Sequence, residues 1–177
     1  MGYRHSETEI LQAATEVALE AGMAGLTFSA VGARLGISDR TVVYYFPTKP
    51  DLVLAVAGAL GTRLMAVLEA AFGDEPMDTA ELLRRGWPVL TTPSADRIFA
   101  LYLEIVGLAA SRQAPYDDLA RAMVQGWVEW LVPRSLGRTP AERRRHALAT
   151  TAQVDGLLLL RHVVGAKGAD DAVKLLR

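Results

Sequence analysis

Tyr44, Tyr45 and Phe46 stand side by side, two residues after the polar turn "GISDRT" and just before Pro47. A phenol joins a large apolar ring to a hydroxyl that needs a partner. Three aromatics on at most two helical turns therefore require a packing or recognition role that the flanking chain must define. Elsewhere, reactive chemistry is scarce. There is no cysteine, which removes disulfides and thiolate metal sites and fits a reducing compartment. His5, His146 and His162 lie far apart, with no pair at the three- or four-residue step of a helical zinc site. No nucleophile with a paired base, glycine-rich phosphate loop or clustered carboxylate pair is evident, so an enzyme is not expected and no cofactor is implied.

A second set of side chains is suited to binding. From residue 51 onward, large apolar residues recur at helical spacings, among them Leu64, Trp87, Phe99, Tyr102, Met123 and Trp127. The same stripes suit a plain helical core. Aromatics and methionine also line adaptable pockets between helices, where a few polar groups orient the ligand. Those six residues are the candidate ligand-binding set, with Glu104, Gln153 and Asp155 as candidate polar members. Nothing in them identifies the ligand.

The elements that must hold these residues are helical. Ser6 and Glu9 have the spacing of a capping box, and Ile10, Ala14, Val17 and Ala21 follow the helical repeat up to Gly22, predicting a helix over about 7–21. Thr27 or Ser29 can cap a second short helix that Gly36 closes, and Ser38 a third of about two turns ending before Pro47. From Pro50, leucine or valine every fourth residue predicts a helix of about six turns, ending at "GDEP". Further helices are expected at about 78–90, 95–112, 116–132, 140–165 and 168–176, with no persuasive strand. The fold class is all-α: a three-helix domain over 1–50, followed by a larger helical bundle over 51–177.

The short helices have the spacing of a helix-turn-helix. Gly32 sits four residues before Gly36 and Val42 six after it. A small residue lets two helices cross closely, a glycine takes the positive φ of the turn, and an aliphatic fills the angle between them. The stretch "LTFSAVGARLGISDRTVVYYFPTKPDLVLAV", preceded by "EILQAATEVALEAG", resembles the DNA-binding region of the TetR family of transcriptional regulators. The likeness rests on Gly22, Thr27, the Gly36-Ile37-Ser38 turn, Thr41, the Tyr45-Phe46 pair, Lys49 and Leu52, and covers about residues 7–56.

That resemblance implies a third helix that reads a DNA groove, with aromatics behind it that pack its end or reach phosphates. It makes Arg40, Thr41 and Tyr44 candidates for contacting DNA, with Ser38 and Asp39 at the head of the same helix. Thr27, Thr41, Tyr45 and Lys49 become candidate phosphate contacts that set register. It further implies a homodimeric, ligand-responsive repressor, with a double-stranded operator and an unknown small molecule as partners. Many members have tyrosine where this chain has Val43.

Two other features bear on that expectation. "VDGLLLL" makes its helix apolar around most of its circumference, and Ala149, Ala152, Gly156 and Leu159 fall on one face, as a helix–helix dimer interface needs. Sixteen arginines face three lysines, yet net charge is only −1, and residues 1–50 hold four basic against five acidic residues. DNA affinity must then come from local contacts and two paired copies, with a shallow salt dependence. The alternative reading is a helical ligand- or partner-binding protein without DNA reading, which Asp39, Val43 and the acidic tally keep open. No signal-peptide run opens the chain and no stretch reaches about 18 uninterrupted apolar residues, so a cytoplasmic location without membrane contact is expected.

Overall fold

The computed structural model describes residues 5–73 and 75–176. Among them are nine α-helices and no strand: α1 (Glu7–Gly25), α2 (Phe28–Leu35), α3 (Asp39–Tyr45), α4 (Lys49–Phe72), α5 (Thr79–Leu90), α6 (Pro93–Ala110), α7 (Tyr116–Leu131), α8 (Pro140–Val163) and α9 (Ala166–Leu176). A short 3-10 turn, Val132–Arg134, follows α7.

Local chemistry explains most of the boundaries. Ser6 and Glu9 form the capping box of α1, and Thr48 with Asp51 and Thr139 with Glu142 do the same for α4 and α8. Thr27, rather than Ser29, caps α2 by accepting from the Ala30 N–H at 3.1 Å. Ser38 holds the cap position of α3 but makes no side-chain cap bond; its hydroxyl lies 3.2 Å from that of Thr41. The sequence places the end of α1 at Ala21. Instead the chain kinks at Gly22 (φ 74°, ψ −179°) and takes one more turn to Gly25. Only glycine enters that region without a Cβ penalty, so the residue that ends the repeat also redirects the helix.

Two hydrophobic cores lie along the molecule. One gathers Ile10, Ala14, Val31, Val42, Phe46 and Leu52 from α1–α4, and it takes in Leu101 and Ile105 of α6 and Leu119 of α7. The other joins Leu68 and Phe72 of α4 to α5, the start of α6, the end of α7, α8 and α9. Three helices, α4, α6 and α7, therefore have one end in each core, so a shift of any of them is felt in both.

Among the described helices α4 alone has the length and composition to cross a membrane, with mean hydropathy 1.7. Thr62 and Arg63 interrupt it, and it contributes to both cores and to a cavity wall. Trp87 is a correction to the expected ligand set. It is buried in the second core, and its indole N–H donates to Asp170 Oδ1 at 2.7 Å, so it ties α5 to α9 away from the cavity.

Candidate nucleic-acid interface and ligand cavity

The turn between α2 and α3 is held by a close backbone approach. A Cβ on Gly32 would come within 2.8 Å of the Ile37 carbonyl oxygen and 3.2 Å of the Asp39 nitrogen. The Ile37 N–H donates to the Gly32 carbonyl at 2.9 Å. Gly36 closes α2 in the left-handed region at φ 66°. Val42 is fully buried behind the turn, so α3 packs on α2 and the first core through one face and turns the other outward.

The outward face of α3 carries Asp39, Arg40, Val43 and Tyr44, with Tyr44 76% exposed. Its ring meets that of Tyr45 edge-on at 5.1 Å. Arg40 is conspicuous for what it does not do. Among the described residues up to 50, Arg34 is engaged with Glu16 and Glu20 at 2.9 and 2.7 Å, and Lys49 lies 3.5 Å from the Met23 carbonyl. Arg40 is the only arginine or lysine in that span with no hydrogen bond or ion pair from its side chain. Asp39 accepts from the Arg40 backbone N–H at 2.8 Å, leaving the guanidinium unpaired.

The other sequence candidates divide. Thr27 and Ser38 are exposed and Thr41 half-buried, all near the turn. Tyr45 is half-buried, and its hydroxyl donates to the His5 carbonyl at 2.9 Å, which fastens α3 to the start of α1. Lys49 is half-buried too, and burial pushes its ammonium below the ordinary lysine range. Phe46 is buried.

A cavity of about 340 Å³ opens between α4, α6, α7 and α8. Leu64, Phe99, Tyr102, Met123 and Trp127, five of the six expected residues, line it. Phe99 and Tyr102 meet edge-on at 6.4 Å, and Trp127 stacks on Trp130 at 5.1 Å. Asp155 also lines the wall and accepts from the Tyr102 hydroxyl at 3.1 Å. Burial raises the Asp155 carboxyl above the ordinary aspartate range, and the Tyr102 hydrogen bond partly opposes that shift. Burial likewise raises the Tyr102 phenol, helped by the Asp155 charge. Gln153 and Glu104, the other candidate polar members, do not line the cavity.

Glu104 sits instead at the α1 kink. Its Oε2 accepts from the Met23 N–H at 2.9 Å, just beyond Gly22, where a Cβ would come within 3.0 Å of the same oxygen. Glu104 lies on α6, between the cavity-lining Tyr102 and Ile105. It thus links a cavity wall to α1, the first helix of the head. Sequence reasoning missed this role because the contact is 81 residues distant along the chain and joins a side chain to a backbone group.

The far surface of α8 is apolar and uncovered in the single chain. Ala149, Ala152, Gly156 and Leu159 are all exposed, alongside Leu148, Leu160 and Val163. Leu157 and Leu158 point into the second core, so the leucine run divides between an inner and an outer face. Among the described residues no group of three or more carboxylates and imidazoles could hold a metal ion.

Fold and site together define a helix-turn-helix head carried on a helical bundle with an internal cavity. Residues 10–56 match the family described as bacterial regulatory proteins, tetR family. No curated protein sequence matches the chain. Among solved structures, a transcriptional regulator from Rhodococcus sp. Rha1 is similar with a TM-score of 0.74 and 23% identity, over 97% of this chain and 94% of that one. The multidrug binding protein EbrR, solved with proflavin, gives 0.68 and 24% over 97% and 99%. A protein from Saccharomonospora viridis, solved with choline, gives 0.67 and 20% over 96% and 92%. Residues 10–56 thus carry the match to the tetR family, and the fold from end to end is the one that these solved structures share.

Proposed function

We propose that the chain is a cytoplasmic, homodimeric repressor that releases a near-palindromic operator when a small molecule enters the cavity. Residues 1–50 are the reading domain and 51–177 the ligand-binding and dimerisation domain. The observation that carries this reading is the unpaired, exposed Arg40 beside exposed Tyr44 on a short helix held outward by the Gly32 approach. A guanidinium fork matches the two acceptors of a guanine edge, and a tyrosine hydroxyl reaches bases or phosphates. Val43, apolar and 37% exposed on the same face, suits a thymine methyl group. Thr27, Thr41 and Lys49 flank this face as phosphate contacts. Ser38 and Asp39 border it, and the Asp39 carboxylate repels phosphate, which favours precise docking over general adhesion.

Two copies joined through the apolar face of α8 would set their reading helices at about 34–36 Å, the repeat of successive major grooves. The ligand acts by favouring one helix arrangement; equal affinity for both arrangements would change nothing. Its effect reaches the reading helix along α4, which enters the head at Thr48–Leu52, and along α6 through Glu104. The binding of proflavin by EbrR and of choline by the Saccharomonospora viridis protein supports a cavity that takes organic molecules. Selection of bound fragments from random duplex DNA with the purified protein tests the proposal. A recurrent near-palindrome is expected; a pool without enrichment at low salt overturns it.

A further inference from the structure

The cavity has an uneven chemistry. Its walls are almost wholly hydrocarbon and aromatic, and the polar side-chain groups of its lining residues are the hydroxyls of Thr62 and Tyr102, the indole N–H of Trp127 and the carboxylate of Asp155. Thr62 already donates to the Gly58 carbonyl at 3.0 Å, and Tyr102 donates to Asp155. Among the described residues Asp155 is thus left as the wall's one charged side chain, with no lysine, arginine or histidine lining the space. Arg161, on the same helix, is engaged elsewhere, with Asp96 at 2.7 and 2.9 Å. A carboxylate in an apolar enclosure with a single neutral donor is poorly compensated.

Resting on the reading of this cavity as the effector site, we infer that its ligand is a lipophilic organic monocation, with its positive centre against Asp155 and its apolar body among Phe99, Tyr102 and Trp127. A cation supplies the charge that the wall lacks, and the aromatic faces attract it through their quadrupoles. A neutral ligand of the same shape gains the apolar contacts but leaves Asp155 as it stands. An anion meets a like charge with no basic group to offset it. The volume, about 340 Å³, suits a molecule with one or two rings.

The test compares three probes on the full-length protein by calorimetry and by quenching of tryptophan fluorescence, since Trp127 lines the cavity. They are benzyltrimethylammonium, its uncharged carbon isostere neopentylbenzene, and the anion 3-phenylpropionate. The cation is expected to bind at least about tenfold tighter than the isostere, a ratio equal to about 1.4 kcal/mol. The anion is expected to bind weakest. Asp155→Asn, which keeps an acceptor for the Tyr102 hydroxyl, should reduce the cation's advantage to near unity, whereas Tyr102→Phe should keep most of it. Equal binding of cation and isostere by the wild type, or a preference that survives Asp155→Asn, overturns the inference while leaving the effector cavity in place. Failure of all three probes to bind at millimolar concentration removes both the inference and the cavity's role. The wild-type comparison decides even if a variant fails to fold.

Discussion

Arg40 and Tyr44 have little to do within their own chain: one makes no side-chain bond and the other is largely exposed. Arg40→Ala should therefore weaken operator binding by about 1–3 kcal/mol while leaving stability within about 0.5 kcal/mol. Tyr44→Ala should act in the same direction. Fluorescence anisotropy on a labelled duplex beside a thermal melt checks both, and unchanged binding would show that α3 does not read DNA. Asp155 gives a pH-dependent case. Its folded carboxyl is raised above the unfolded value by burial, so its ionisation opposes folding at neutral pH and that penalty fades as pH falls through the folded value. Asp155→Asn is expected to melt higher than wild type at pH 7 without ligand, with the difference shrinking toward about pH 4, near the ordinary aspartate pKa. Melts across that range decide it. The exposed candidates on α3 were legible in the sequence through the turn that precedes them. The partners of Glu104 and Trp87 were not, because each pairs across more than eighty residues and nothing in local spacing encodes such a contact.

At the scale of elements, the junction of α2 and α3 depends on missing side-chain atoms. Gly32→Ala would push a methyl group against the Ile37 and Asp39 backbone, and a loss of about 1–3 kcal/mol is expected. Gly36→Ala has open space around its new methyl and loses only the left-handed preference, about 1 kcal/mol. Chemical denaturation should therefore rank Gly32→Ala as the more damaging change; the reverse order would refute the close approach. The α1–α6 link makes a separate prediction. Glu104→Ala leaves the Met23 N–H without its acceptor, which should cost about 1–3 kcal/mol and speed amide exchange at Met23. Unaltered exchange there would show that the kink does not need α6. Caps, glycines and four-residue repeats placed the helices within a turn of where they lie, since these signals act over a few residues. The continuation of α1 past Gly22 escaped them because its extra turn is supported by Glu104 from a distant helix.

For the whole molecule, the proposed assembly rests on the apolar outer face of α8. Leu159 is 50% exposed in the single chain, so Leu159→Arg should leave the fold intact and split the dimer. Sedimentation velocity at micromolar concentration is expected to show a dimer for wild type and a monomer for the variant; a monomeric wild type would end the proposal of paired reading helices. The sequence by itself determined the helical class, the three-helix head with its turn, and the stock of aromatics available for a cavity. These follow from periodicity, capping and backbone sterics, which operate between near neighbours. Only the tertiary structure decided that Phe99, Tyr102 and Trp127 share a space with Asp155 while Trp87 does not, that α6 is tied to the α1 kink, and which leucines of α8 face outward. Those outcomes depend on how whole helices pack against one another, and a helical stripe reads the same in sequence whether it meets a core, a cavity or a second chain.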